Sequence, residues 1–138
     1  MPQYHLGRLI DHVHLRAADL EASKRFYRAV LTVLGQAQAI AETDDYFSAD
    51  ELWIDRADGA SSRVHLAFQA RDRAAVDAFH RAALEAGGRD NGGPGERAYH
   101  PGYYGAFVLD PDGNNIEAVH HGAATRSADD VVVTPVAG

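Results

Sequence analysis

The sequence contains no cysteine in its 138 residues. This absence excludes disulfide bonds, zinc sites built from thiolates and cysteine nucleophiles. A chain of this length buries roughly two thirds of the surface that its unfolded form exposes, so it needs no covalent staple to fold. A divalent metal ion would have to be held by histidine, aspartate and glutamate, which suit iron, manganese, nickel, cobalt or zinc.

The sequence is also poor in basic residues and in long apolar runs. It contains 13 Lys and Arg and 20 Asp and Glu, which gives a formal net charge of −7. Without a basic stripe, we expect no binding to nucleic acid or to an anionic membrane surface. No apolar run reaches transmembrane length, and the first five residues lack the basic and apolar segments of a signal peptide. We therefore expect a cytoplasmic protein whose partner is a small molecule.

What the sequence does contain is an internal repeat. The segment that starts at His12 (HVHLRAAD) aligns without gaps with the segment that starts at His65 (HLAFQARD). The same register continues into the following residues, where Phe26 aligns with Phe79. The alignment spans a strand pattern and a helix pattern, which have different periods, so it predicts two equivalent modules.

Each module is predicted to begin with one strand and one helix. Alternating apolar residues place the first strands at 9–16 and 63–69. Asp19 and Asp72 are the expected N-caps of the two helices, and glycines at 35 and 87–88 the expected C-caps. The apolar residues expected to be buried by the second helix are Val76, Phe79, Ala83 and Leu84.

Further strands are predicted to follow each helix. In the first module they lie at about 38–41, 46–48 and 51–55, and in the second at 103–109 and 115–120, after a Gly- and Asn-rich loop at 90–95. The sequence DPDG at 110–113 predicts a hairpin turn. We expect one domain made of modules 8–58 and 62–121. In the tail, 122–138, residues 131–134 could add an edge strand or contact a partner chain.

Three motifs carry a resemblance to a known family. They are DHVHL at 11–15 followed by DLEAS at 19–23, VHLAF at 64–68, and FVLDPDGNNIE at 107–117. Together they resemble the vicinal oxygen chelate superfamily, which includes glyoxalases, bleomycin resistance proteins and extradiol dioxygenases. The resemblance implies an α+β fold in which two βαβββ modules place mixed sheets side by side as a cupped half-barrel. It also implies a divalent metal in the cup, and often a homodimer.

The resemblance implies His12, His65 and Glu117 as metal ligands. The period of two agrees, because both histidines lie on the strand face opposite the apolar one, and Glu117 lies opposite its apolar neighbours Ile116 and Ala118. We expect the three side chains on one side of one sheet. Two imidazoles and a carboxylate in that arrangement leave coordination positions open for a bidentate substrate or for oxygen.

Other residues are expected to line the substrate pocket. His14 shares the face of His12 and is a candidate acid or base, as are the carboxylates Glu51 and Asp55. The remaining expected pocket residues are Arg16, which could hold an anionic group, the aromatic residues Trp53, Tyr103 and Phe107, and, as an outer contact of the ligands, His121.

Several activities of that family remain open. Glyoxalase I enzymes use four protein ligands, but the repeat places Trp53 where the fourth would be. Extradiol dioxygenases use two His and one Glu; the position of their catalytic tyrosine matches Phe107, with Tyr103 a possible substitute. Fosfomycin-modifying transferases rank third, since Lys24 is the single lysine and lies away from the cup. The alternative to an enzyme is a metal-free protein that binds a cationic small molecule, as bleomycin resistance proteins do.

Overall fold

The computed structural model describes residues 3–137, with the backbone alone at 4–6. A short strand β1 (Tyr4–Leu6) precedes the first module. The elements of that module, in chain order, are β2 (Val13–Ala17), α1 (Leu20–Val33), a 3-10 turn (Ala37–Ala39), β3 (Ile40–Glu42), β4 (Tyr46–Ala49) and β5 (Leu52–Arg56).

The second module likewise begins with one strand and one helix, which four strands follow. Its elements are β6 (His65–Gln69), α2 (Arg73–Glu85), β7 (Arg89–Asp90), β8 (Gly95–Glu96), β9 (Tyr104–Leu109) and β10 (Asn115–His120). In the tail, β11 (Val131–Val133) pairs antiparallel with β1, so the edge strand predicted there forms, within a separate two-stranded ribbon. None of the helices in residues 3–137 is both long and apolar enough to cross a membrane.

The two modules carry one mixed sheet each. The strand order is β2-β5-β4-β3 in the first sheet and β6-β10-β9-β7 in the second, where β8 also pairs with β9. In each sheet the first strand of the module runs parallel to the last, and the other pairings are antiparallel. The predicted α+β fold with two mixed sheets and no closed barrel is confirmed. No strand pairing joins the two sheets within the described chain, and β2 and β6 each have a single strand neighbour.

Most predicted element ends are confirmed. Asp19 accepts a hydrogen bond from the Ala22 amide at 3.1 Å and Asp72 from the Ala75 amide at 2.7 Å, as N-caps do. The first strand was predicted too long, because residues 9–12 have no strand partner and β5 begins opposite Val13. Leu84 was wrongly assigned to the buried face of α2, since 38% of it is exposed.

A single hydrophobic core joins the modules. It contains the inward residues of both sheets, such as Ile54 and Ile116, together with the buried faces of both helices. Among the glycines, Gly88 has the least space for a side chain. A Cβ atom there would lie 2.5 Å from Val108 Cγ1 and 2.8 Å from Phe26 Cε2. Because the helix-covered faces share this core, the other face of each sheet is directed away from it.

The hairpin turn between β9 and β10 links the two modules. The carboxylate of Asp110, 2% exposed, accepts hydrogen bonds from two backbone amides of the turn, from the Asn114 side chain and from the hydroxyl of Tyr27 in α1. Burial and the Asp110 charge hold the pKa of Tyr27 well above its usual value. In the same turn Asp112 accepts a hydrogen bond from the Ala18 amide at 3.0 Å.

The substitution Tyr27→Phe tests the strength of this link. It leaves a buried carboxylate without one of its donors, so we expect a loss of about 2 kcal/mol in the free energy of unfolding. The matched control is Tyr104→Phe, which removes a hydroxyl bonded to Asp77 in a less buried position, with an expected loss of about 1 kcal/mol or less. Urea unfolding of the three proteins measures both values. Equal losses in the two variants would contradict the central role of Asp110.

Candidate metal and substrate site

The second sheet carries a buried carboxylate on its open face. Strand alternation points Ile116 and Ala118 into the core and leaves Glu117 on the opposite face, as predicted. Glu117 is nevertheless 2% exposed, because its neighbours cover it. Its Oε1 lies 2.8 Å from Nε2 of His65, whose side chain is 54% exposed. The structure therefore brings two of the three predicted ligands together.

Tyr103 covers the other oxygen of this carboxylate. Its hydroxyl donates a hydrogen bond to Glu117 Oε2. Gly105 allows the approach, because a Cβ there would lie 3.2 Å from the same oxygen and 3.3 Å from the Tyr103 ring. Burial, followed by the hydrogen bond and charge of Glu117, raises the pKa of Tyr103 to about 12. Tyr103 thus holds its proton at neutral pH and fixes the orientation of Glu117.

Aromatic side chains surround this pair. Phe107 is the cross-strand partner of Glu117, and its ring centroid lies 5.9 Å from that of His65. His121 packs edge-on against Tyr103 at 5.1 Å, and its Nδ1 lies 2.8 Å from Nε2 of His100. His121, predicted as an outer contact of the ligands, therefore contacts Tyr103, and Tyr103 in turn contacts Glu117. His100 is exposed and stacks on His121 with ring centroids 5.1 Å apart.

The open face of the first sheet carries a second polar group. His14 Nε2 lies 2.7 Å from Asp55 Oδ1, and Arg16 Nε lies 3.8 Å from the same oxygen. The hydrogen bond with His14 is the main cause that lowers the pKa of Asp55. Asp55, predicted as a possible base, is thus the hydrogen-bond partner of the other predicted acid or base of this face, His14.

A cavity of about 420 Å³ lies beside this group. Its lining residues are His12, His14, Asp50, Glu51, Leu52 and Trp53. Trp53 is 38% exposed and stacks on Tyr46 with ring centroids 4.2 Å apart. Burial, and then the neighbouring Asp50 charge, raises the pKa of Glu51. A larger groove of about 560 Å³ between α1 and α2 contains none of the predicted site residues.

The strand register explains why Trp53 stands in this cavity. His14 pairs with Trp53 in the first sheet, as Ala67 pairs with Glu117 in the second. The two modules therefore hold an indole and a carboxylate at equivalent positions, as the repeat predicts.

The third predicted ligand lies apart from the other two. His12 precedes β2 in the first module, and its Nδ1 lies 2.8 Å from Asp11 Oδ1. The expectation that the three ligands share one side of one sheet is wrong for a single chain, because the two sheets are separate. Within residues 3–137, no three His, Asp or Glu side chains are grouped so that one chain could hold a metal ion.

The pair His65 and Glu117 fits a metal ion in geometry and in chemistry. Two donors about 2.1 Å from one ion, at about a right angle, lie about 3.0 Å apart. The observed 2.8 Å between Nε2 and Oε1 is close to that value. Imidazole and carboxylate together suit the divalent ions expected from the sequence.

Comparisons with known proteins agree with this architecture. Residues 9–118 match the family described as Glyoxalase/Bleomycin resistance protein/Dioxygenase superfamily. A glyoxalase/bleomycin resistance protein from Albidiferax ferrireducens T118 is 32% identical, with a TM-score of 0.67 over 81% of this chain and 98% of that one. The structure of oxidase ChaP-H1 is 26% identical, with a TM-score of 0.58 over 80% and 93%.

A third similar structure shows the shared fold alone. It is a lactoylglutathione lyase from Agrobacterium tumefaciens, 21% identical, with a TM-score of 0.58 over 81% of this chain and 92% of that one. No curated protein matches the sequence.

The raised pKa of Tyr103 predicts a loss of stability at high pH. Its pKa in the folded protein is about 12, against an ordinary value of 10.0, so its contribution is complete below pH 10 and is lost as the pH rises towards 12. In Tyr103→Phe this part of the loss is absent, and the free energy of unfolding falls less steeply over that range. Tyr99→Phe is the control, because it removes the hydroxyl of a neighbouring tyrosine that is 73% exposed. Its free energy of unfolding should fall with pH as in the wild type. The idea fails if Tyr103→Phe and the wild type lose stability in parallel.

Proposed function

Because the chain belongs to the Glyoxalase/Bleomycin resistance protein/Dioxygenase superfamily, we propose that it is a metal-dependent enzyme. Its substrate is a small molecule that chelates the metal through neighbouring oxygens. The observation that carries this proposal is the His65–Glu117 pair, in which a nearly inaccessible carboxylate faces a half-exposed imidazole at ligand distance. Burying a carboxylate costs free energy unless it has partners, so the enclosure of Glu117 beside His65 supports a role for this pair.

We propose that the third ligand is His12 of the partner subunit in a homodimer. The open faces of the two sheets are directed away from the shared core, so a single chain does not turn them towards each other. The edge strands β2 and β6, which begin next to His12 and at His65, each have a single strand neighbour in the described chain. On the second edge of β2, Ser62 bonds to the backbone of Arg16 and covers only the end of the strand away from His12. Free strand edges favour pairing with another chain. Placing β2 of one chain beside β6 of another would bring the unlike open faces together, twice per dimer.

In this site, a bound divalent ion would supply Lewis acidity and open positions for the two substrate oxygens. The side chains have separate tasks. His65 and Glu117 hold the ion, and Tyr103 keeps the carboxylate oriented through its hydroxyl. His14, oriented by Asp55, is the proposed base or acid that moves the substrate proton.

Two reaction classes are compatible with the family, lyase or isomerase and extradiol-type dioxygenase, and we favour the dioxygenase. A glyoxalase-type site needs a fourth protein ligand, and Trp53 cannot supply one. The relative named oxidase ChaP-H1 is 26% identical, whereas the lactoylglutathione lyase is 21% identical. Arg16, Trp53 and Phe107 are the proposed contacts of the substrate beyond its chelating oxygens.

A second candidate function is a metal-free binding protein of the bleomycin-resistance type. The specific observation in its favour is the aromatic-walled cavity, whose acidic lining suits a cationic ligand. This candidate makes no use of the pairing between His65 and Glu117.

Metal content separates the two candidates. After metal removal and reloading, we expect about one equivalent of iron, manganese, nickel, cobalt or zinc per chain in the wild type. His65→Ala should lose it, because it removes one of the few donors. His80→Ala is the matched control, since its partly buried imidazole bonds to Asp90 and contacts none of the proposed ligands. A wild type that neither binds nor is stabilised by any of these ions would favour the binding protein.

Mixed dimers test where the third ligand comes from. His12→Ala and His65→Ala chains are unfolded together and refolded as a mixture. In a site shared between chains, each mixed dimer regains one of its two sites, because His12 comes from one chain and His65 from the other. Metal binding should then rise from near zero to about half of the wild-type value in isolated mixed dimers. If the ligands all came from one chain, mixing would restore nothing.

A further inference from the structure

An asparagine followed by a glycine lies directly after β7. Asn91 and Gly92 form a bend there, and Asn91 is exposed. Asparagine is chemically labile, because its side-chain amide can be attacked by the backbone nitrogen of the next residue. A glycine in the next position has no side chain to hinder that attack. The two other asparagines of the chain, Asn114 and Asn115, do not precede a glycine.

The fold requires the glycine at position 92. Its φ of +140° is a conformation that residues with a side chain rarely adopt. A Cβ atom there would lie 3.3 Å from Phe107 Cδ1 and 3.4 Å from Arg97 Nη2. Phe107 also holds the backbone on both sides of the bend, because its carbonyl accepts a hydrogen bond from the Asn91 amide at 3.0 Å and its amide donates to the Gly92 carbonyl at 2.8 Å. The residue most favourable to attack on Asn91 is therefore fixed by the sheet.

A carboxylate faces the nitrogen that would attack. The amide of Gly92 donates a hydrogen bond to Oδ1 of Asp90 at 3.0 Å. Nε2 of His80 lies 3.0 Å from the same oxygen, and the side chain of Asp90 stays 61% exposed. A carboxylate within hydrogen-bond distance of an N–H is positioned to accept its proton while the nitrogen forms a new bond.

We infer that Asn91 is a site of deamidation in the folded protein and that Asp90 is the base of this reaction. The nitrogen of Gly92 forms a bond to Cγ of Asn91 and passes its proton to Asp90. The bond between Cγ and Nδ2 breaks, and Nδ2 takes up that proton and leaves as ammonia, so that a succinimide ring closes. Water then adds to a ring carbonyl and opens the ring to aspartate or isoaspartate. No oxidant, reductant or metal takes part, so the inference is independent of the proposed function.

The reaction would change a contact between the bend and β10. Asn91 Nδ2 donates a hydrogen bond to Asn115 Oδ1 at 3.1 Å, and Asn115 is the strand partner of His65. In the product an ionised oxygen takes the place of Nδ2, and such an oxygen accepts hydrogen bonds but does not donate them. The hydrogen bond to Asn115 Oδ1 is then lost, and one negative charge is added beside the strand partner of His65.

Peptide mass spectrometry follows all three asparagines in one sample. Trypsin separates Asn91 from the other two, because it cleaves after Arg89 and Arg97. During incubation of the folded wild type at mildly alkaline pH, we expect the Asn91 peptide to gain the mass of an amide-to-acid change. The peptide with Asn114 and Asn115 should stay unchanged. Conversion of that peptide as fast as of the Asn91 peptide, or no conversion at Asn91, would overturn the inference. Asn91→Gln is the matched control, since it keeps the amide but needs a larger ring and should react far more slowly.

Asp90→Ser tests the role of the base. The serine hydroxyl can still accept a hydrogen bond from the Gly92 amide but has no charge. We therefore expect the folded variant to deamidate at Asn91 about ten times more slowly than the wild type, a modest effect for a positioned proton acceptor. His80→Ala leaves the carboxylate in place and should react at least as fast as the wild type.

Unfolded protein is the control for the folded geometry. In urea, the wild type and Asp90→Ser should deamidate at the same rate, because Asp90 is no longer held against the Gly92 amide. Circular dichroism before incubation confirms that each variant is folded in the absence of urea. Equal rates for the two folded proteins would reject Asp90 as the base and with it the inference.

Discussion

The buried carboxylate of Asp110 holds the architecture together. It closes the turn between β9 and β10 through two backbone amides and also accepts a hydrogen bond from Tyr27 of the first module. Asn114, in the same turn, accepts a hydrogen bond from the amide of Val64, just before β6. One turn therefore sets the start of β10, the start of β6 and the position of α1. Because Glu117 and His65 lie close after these points, their 2.8 Å separation depends on the turn.

The two modules share a backbone plan and differ in chemistry. Each has a first strand parallel to its last strand, with a helix over the apolar face. At the equivalent positions of the last strands, the second module has a carboxylate enclosed by His65 and Tyr103, and the first has an indole stacked on Tyr46. A duplicated unit allows this, because one copy can keep the metal ligands while the other becomes an apolar wall.

Local patterns in the sequence predicted the modules, the helix caps and the face on which each site residue lies. They succeed because capping and strand alternation depend on neighbouring residues alone. The position of His12 relative to His65 was not predictable, since it depends on how two complete modules pack. The bond between His14 and Asp55 was missed for a related reason, because the two residues lie diagonally across strands whose register sequence does not specify. The enclosure of Glu117 required the tertiary neighbours as well.

The lack of space around Gly88 limits which residues the sequence can have at this position. Position 88 lies where α2 ends, between Phe26 of the first module and Val108 of the second. A methyl group there would overlap both, so even alanine would force the modules apart. Surface loops tolerate many substitutions with little loss of stability, but at position 88 there is space for a hydrogen atom and not for a side chain. The separation of the two halves is thus encoded by the smallest residue in the chain, and a substitution there would push α1 of the first module away from β9 of the second.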